Sequence, residues 1–165
     1  MDIKFEMVLP ETPALADSAK QLFIEYARSL NFSLCFQDFD KELAGLPGDY
    51  VPPSGRLILA YEDGKLAGCV ALHKFGDCAC EMKRLYLRPE YRSKGIGKKL
   101  ALKVIDEART IGYEKMLLDT VPSMKGAISL YRSLGFIEIG PYRDNPVSGA
   151  LFMELELNSS KKDND

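Results

Sequence analysis

Apolar residues alternate in some stretches of this chain and recur every three to four residues in others, and the switches between the two periods mark out its elements. Phe5, Met7 and Leu9 alternate with polar neighbours and predict an edge-type strand. Leu15, Ala19, Leu22/Phe23, Tyr26 and Leu30 then follow helical spacing, with Thr12 as cap and Pro13 at the first helical position. A short helix over Phe39 to Ala44 runs into "GLPGDYVPPSG", a stiff loop with three prolines and three glycines. Three strands are predicted next, Arg56–Glu62, Lys65–Phe75 and Cys78–Arg88. Asp-Gly and Gly-Asp lie at the centres of the two hairpin turns between them.

The following helix carries Ile96, Leu100, Val104, Ala108 and Ile111 on one stripe and stops at Gly112. "YEKMLLDTV" reads as a short buried strand, and "PSMKGAISLYRSLGF" as a helix capped by Ser123 and stopped by Gly135. Strands around Phe136–Ile139 and Ala150–Leu157 close the pattern, and the polar stretch 158–165 is expected to be disordered. The order is that of an α/β protein with a mostly antiparallel meander and at least one strand–helix–strand crossover. Residues 1–157 form the single expected domain.

Composition narrows this picture only modestly. Hydrophobic residues at 46% and charged residues at 28% are ordinary for a globular domain, and no apolar run is long enough to span a bilayer. The N-terminal stretch lacks the pattern of a signal peptide, so a soluble, cytoplasmic protein with no membrane partner is expected. Four cysteines and the single His73 have no metal-ligand spacing, and no metal is expected. Were Gly76-Asp77 a two-residue turn, His73 would stand opposite Cys80, the geometry of a nucleophilic dyad; chance pairing of two small residues is the simpler reading.

Charge is more informative. Between Glu81 and Lys103 eight basic residues face two acids, a local +6 in a chain of net −2. Nucleic-acid binding would call for a broader basic surface and a pI above the 5.6 of this chain. One compact anion fits better, and "RSKGIGK" sits where a strand end turns into a helix start. The amides of about Lys94 to Lys98 would converge there on a pyrophosphate. It is not a P-loop, since Gly97-Lys98 is followed by Lys99 rather than Ser or Thr, and not a dinucleotide fingerprint, since Leu100 takes the third glycine's place.

Arg92, Gly95 and Gly97 fill the pattern [RQ]-x-x-G-x-[GA], which resembles the acyl-CoA signature of the GNAT superfamily of N-acetyltransferases. "CEMKRLYLRPEYR" before it and "AISLYRSLGF" after it resemble the family's central strand and second signature. Met124 stands where the family often has asparagine. The resemblance covers roughly Ile3 to Leu157 and implies the GNAT acyl-CoA N-acyltransferase fold, a central mixed, mostly antiparallel sheet flanked by helices with two splayed parallel strands. It implies acetyl-CoA as cofactor, with the pantetheine arm pairing with Leu85 and Leu87. The pyrophosphate would then rest at Arg92, Ser93, Lys94, Gly95, Ile96, Gly97 and Lys98, with Lys99 adding charge at the mouth.

The implied reaction is acetyl transfer to a primary amine of a small molecule or peptide by direct attack. Tyr131 matches the family tyrosine placed as general acid, and Glu81 a strand glutamate used by some members as base. Phe32, Phe36, Phe39, Tyr50 and the Tyr142–Asn145 turn fall where the acceptor wall is built. A net −5 over residues 1–55 would mildly attract a cation, although solvated surface accounts for it as well. A homodimer is possible. The alternatives are a non-catalytic acyl-CoA-binding sensor and a nucleotide- or nucleic-acid-binding module using the +6 segment.

Overall fold

The computed structural model describes residues 2–30, 33–34 and 38–158. The expected disorder of the tail from 159 onward, and the wall positions Phe32 and Phe36, lie outside the described residues. The element order is β1 (Ile3–Met7), α1 (Pro13–Ser29), α2 (Phe39–Gly45), β2 (Arg56–Glu62), β3 (Lys65–Phe75), β4 (Ala79–Leu87), a 3₁₀ turn (Pro89–Tyr91), α3 (Ile96–Ile111), β5 (Lys115–Thr120), α4 (Lys125–Ser133), β6 (Ile137–Ile139) and β7 (Leu151–Glu156).

The strands form one sheet in the order β1-β2-β3-β4-β5-β7-β6. All neighbours are antiparallel except β4 and β5. Two apolar layers flank it. On one face α3 and α4 cover a core containing Ile58, Val70, Met82, Leu100, Val104, Met116 and Leu118. On the other, α1 and α2 cover Leu22, Phe23, Phe39, Leu57, Leu59, Cys69 and Tyr86. Alternation along β4 therefore sends Cys80 and Met82 to the α3–α4 side and Glu81 and Lys83 to the α1–α2 side.

Three expectations are corrected. The β3–β4 hairpin has a three-residue loop, Gly76 to Cys78, because Phe75 pairs with Ala79. His73 consequently stands opposite Glu81 rather than Cys80. A slip to the expected register would carry Glu81 into the apolar α3–α4 core, at the cost of a buried unpaired charge. The Cys80 thiol, pushed up to about 12 by burial, is no nucleophile beside a distant imidazole. Second, α4 starts at Lys125 with Met124 in the cap position, because a Met124 N–H to Val121 C=O bond of 3.0 Å makes a turn first. Ser123 therefore caps nothing. Third, Thr12 does precede α1, but its hydroxyl turns back to bond the N–H and C=O of Leu9 at 2.8 and 2.9 Å.

Candidate active site

The site begins where β4 and β5 part. Their parallel pairing runs only from Ala79–Lys115 to Glu81–Leu117, after which β4 continues to Leu87 and β5 to Thr120 with no rung between them. A cleft opens in that wedge, and Lys83, Leu85, Asp119, Thr120, Met124, Tyr131 and Asn145 are among its lining residues.

A bulge shapes one wall. Cys69 pairs with Tyr86 and Ala71 with Lys83, so Arg84 and Leu85 together oppose Val70. Arg84 takes the left-handed conformation, φ 60°, an unusual one for a side chain of its size. What holds it is a two-bond ion pair with Glu42 of α2, at 2.9 and 3.1 Å, beneath the rings of Phe39 and Tyr26. Burial works against the Arg84 guanidinium, but its bonds to Glu42 raise its pKa, so it stays charged. Beyond the bulge, Leu85 and Leu87 return to the α3–α4 side with their β5-facing edge open. The Leu87 carbonyl already accepts a bond from Arg92 Nε at 3.0 Å.

The turn from β4 into α3 follows. Gly95 adopts φ 83°, which favours glycine, and the first helical bond is Lys99 N–H to Gly95 C=O. That start leaves the amides of Ile96, Gly97 and Lys98 without an acceptor inside the helix. A Cβ on Gly97 would point between Leu87 and Leu130, 3.4 and 4.0 Å away, into the gap between β4 and α4. The side chains are arranged differently from expectation. Arg92 braces the strand exit and lies over the Tyr86 ring. Lys94 pairs with Glu62 at 3.2 Å and lies over Tyr91, which leaves Lys98 and Lys99 as exposed cations with no ion-pair partner among the described residues. Ser93 has φ 64° and is exposed.

Tyr131 of α4 is 7% exposed and packs on Phe136. Its hydroxyl bonds no described residue, and burial raises its pKa, so the phenol keeps its proton at neutral pH. Thr120 Oγ1 in the same cleft is buried without a hydrogen-bond partner among the described residues.

Glu81 does not line the cleft. It is fully buried, with Oε1 taken by His73 Nε2 at 2.8 Å and Arg143 Nη2 at 2.7 Å, and Oε2 by the Tyr142 hydroxyl at 2.6 Å. Burial raises its pKa, but the His73 bond, the Lys83 charge, the Tyr142 bond and Arg143 outweigh it and hold the carboxyl below its ordinary value. A carboxylate so satisfied is a poor proton acceptor, which counts against the role of base expected for it. Lys83 is the unexpected neighbour. Burial and the Arg84 charge push its ammonium down to about 8, and it makes no hydrogen bond or ion pair with a described residue. Asp119 accepts from Asn145 Nδ2 at 3.1 Å through Oδ2. Phe39 and Tyr50, expected in the acceptor wall, are buried in the α1–α2 core, where Phe39 packs under Arg84 and the Tyr50 hydroxyl donates to Glu42.

The free amides at the α3 start, the space beside Gly97 and the cleft-lining Thr120 hydroxyl, which bonds no described residue, fit an acyl-CoA: anion donors, room for the backbone approach, and a polar group in the cleft. Among the described residues no group of three or more His, Cys, Asp or Glu could hold a metal ion. No helix among them is long and apolar enough to cross a membrane.

Residues 16–136 match the acetyltransferase (GNAT) family. An uncharacterised N-acetyltransferase of Schizosaccharomyces pombe is 40% identical over 147 residues, 88% of this chain and 90% of that protein. Among solved structures, a GNAT-family acetyltransferase of Staphylococcus aureus superposes with a TM-score of 0.75 at 21% identity, over 94% of this chain and 99% of that one. The PaiA N-acetyltransferase of Thermoplasma acidophilum, in complex with coenzyme A, gives 0.68 at 21% identity over the same shares. With a family match across most of its length and a relative this similar over nearly all of it, the chain belongs to the GNAT acetyltransferase family.

Proposed function

We propose that the protein transfers an acetyl group from acetyl-CoA to a primary amine of a small molecule or peptide by direct attack, with no acyl-enzyme. The observation that carries this reading is the wedge between β4 and β5, open toward both faces of the sheet. The α3 amides and Tyr131 lie on one face and Lys83 on the other, so donor and acceptor can approach the wedge from opposite sides.

Acetyl-CoA, when bound, supplies a thioester carbonyl and a thiolate leaving group. The amides of Ile96, Gly97 and Lys98 hold the pyrophosphate, with Lys98 and Lys99 adding charge. Leu85 and Leu87 offer their open backbone edge to the pantetheine arm, and the Leu85 N–H, at the bulge, polarises the carbonyl. Tyr131 donates a hydrogen bond, and finally a proton, to the departing sulfur as general acid. An alkylammonium has an ordinary pKa near ~10.4 and must lose a proton before attacking. Glu81, with both oxygens taken, orders the β6–β7 loop through Tyr142 and Arg143. Asp119, whose Oδ1 bonds no described residue, receives the acceptor's proton directly or through water. In sum, the amine nitrogen bonds to the acetyl carbon, the C–S bond breaks, one proton goes to sulfur and one is released.

Calorimetric titration with acetyl-CoA, with ATP and NAD as controls, tests the cofactor. Micromolar affinity for acetyl-CoA alone is expected, followed by free-thiol release when an amine is added. Absence of acetyl-CoA binding would reduce the glycine turn to a structural feature. Binding without thiol release from any amine would favour the sensor.

A further inference from the structure

The α1–α2 side of the wedge has a charge inventory that the fold does not explain. Four elements bring ionised groups to it: β4 supplies Glu81, Lys83 and Arg84, α2 supplies Glu42, the β6–β7 loop supplies Arg143, and β5 supplies Asp119. His73 of β3 and Tyr26 of α1 complete the surroundings. Two of these anions have their own cations. Glu42 is held by both guanidinium bonds of Arg84 and also receives the Tyr50 hydroxyl at 3.1 Å. Glu81 is held by Arg143, His73 and Tyr142.

What remains is one cation and one anion. Lys83 lines the cleft without a counter-ion among the described residues. Asp119 lines the diverging strand with only one oxygen engaged. They lie on the same face of the sheet, on opposite walls of the wedge, and are not paired with each other. A half-buried ammonium without a partner is costly, and no described residue pairs with this one. A ligand group of opposite charge satisfies it.

We propose that the acceptor is a small amine that also carries a carboxylate, an amino-acid-type compound whose ammonium is received by Asp119 and whose carboxylate is received by Lys83. Lys83 is then a specificity-determining residue. The proposal rests on the acetyl-transfer reading above and narrows its acceptor. A simple alkylamine leaves Lys83 unsatisfied. A polyamine is worse, because its second ammonium meets Lys83 and the flanking Arg84. The group transfer keeps its balance: the carboxylate is a handle, untouched by the bond changes at the amine.

The test begins with acetyl-CoA calorimetry on the wild type and on Lys83→Met: absence of binding to the wild type sinks the acetyl-transfer reading itself, whereas its loss in Lys83→Met alone overturns the proposal by placing Lys83 in the donor site. Coenzyme A release is then followed with matched acceptors: 4-aminobutanoate against n-butylamine, L-alanine against L-alaninamide, and spermidine. Carboxylated members are expected to show kcat/KM at least about 10-fold higher, as for a site whose buried polar group is left unpaired by the analogue. Lys83→Met and Lys83→Gln should shrink that ratio toward one, mainly through KM. A readout independent of turnover is the ¹⁵N resonance of Lys83 Nζ. It should titrate near 8 in the free protein and move to higher pH when 4-aminobutanoate is added with coenzyme A.

Equal or better turnover of n-butylamine or spermidine overturns the proposal. So does acetyl-CoA binding with no carboxylated member turned over. A loss of kcat for all acceptors alike in Lys83→Met, with a limb of the pH profile gone, overturns it too by making Lys83 a proton-transfer group.

Discussion

Replacing Lys83 by Met should stabilise the protein, and the gain should depend on pH in a defined way. The Lys83 ammonium lies at about 8 against an ordinary 10.5, a balance that already includes repulsion by Arg84 and attraction by Glu81 and Glu42. At about 1.4 kcal/mol for each pKa step, holding the charged form in the fold costs about 3 kcal/mol. Solvent reaching a half-buried side chain trims that to about 1–2 kcal/mol. Methionine has nearly the same shape, carries no charge and tolerates an irregular cleft. Urea unfolding at pH 7 should therefore show Lys83→Met more stable by about 1–2 kcal/mol.

Because the folded pKa is the lower one, the unfolded chain binds more protons between about pH 8 and 10.5, so wild-type stability gains from this group as pH rises through that window. The advantage of Lys83→Met should fade across it. A variant less stable than wild type at pH 7, or a difference that ignores pH, would refute the claim that Lys83 is an unsatisfied charge.

Tyr131→Phe should lower kcat about 100-fold with acetyl-CoA affinity unchanged by calorimetry, since it removes a donor needed only as sulfur departs. Glu81→Gln should cost about 2–4 kcal/mol in denaturant unfolding, because Arg143 loses its buried counter-charge. Glu81 has its pKa depressed in the fold, so its contribution is complete above its ordinary value of 4.5 and is lost as pH falls through the lower folded one. The acid limb of the stability profile should accordingly be flatter in Glu81→Gln. Gly97→Glu should weaken acetyl-CoA binding at least about 100-fold in a protein with an unchanged circular dichroism spectrum, because side chain and charge enter the gap between Leu87 and Leu130.

The elements were legible because each is locally consistent. The Ile96–Ile111 stripe, the glycine stop at Gly112 and the Asp63-Gly64 hairpin express their structure within a few residues. The cofactor half of the site was legible for the same reason, since strand exit, turn and helix start are contiguous. The other half depends on partners far apart in the chain. Glu81 read as an exposed-or-catalytic carboxylate until Tyr142 and Arg143, more than 60 positions away, took its oxygens. The Glu62 carboxylate beside Lys94 was not legible either, since nothing local to Lys94 reveals it. That Lys83 has no ion-pair partner among the described residues follows only from how Arg84, Glu42 and Arg143 are distributed among three elements. The His73 register turned on one residue of hairpin loop, a length that Gly76-Asp77 alone does not specify.

The strand order has a consequence for biosynthesis. Of the described strands β7 is the last to be made, yet it lies inside the sheet, between β5 and β6. As the chain leaves the ribosome, β5 presents a bare hydrogen-bonding edge until residues 151–156 emerge, and β6 has nowhere to dock. Tyr142 and Arg143 precede β7 and are drawn over Glu81 as that final strand inserts. A nascent chain halted before β7 would therefore carry the glycine turn complete, while Glu81 kept the His73 hydrogen bond and the nearby Lys83 charge but lacked its bonds to Tyr142 and Arg143.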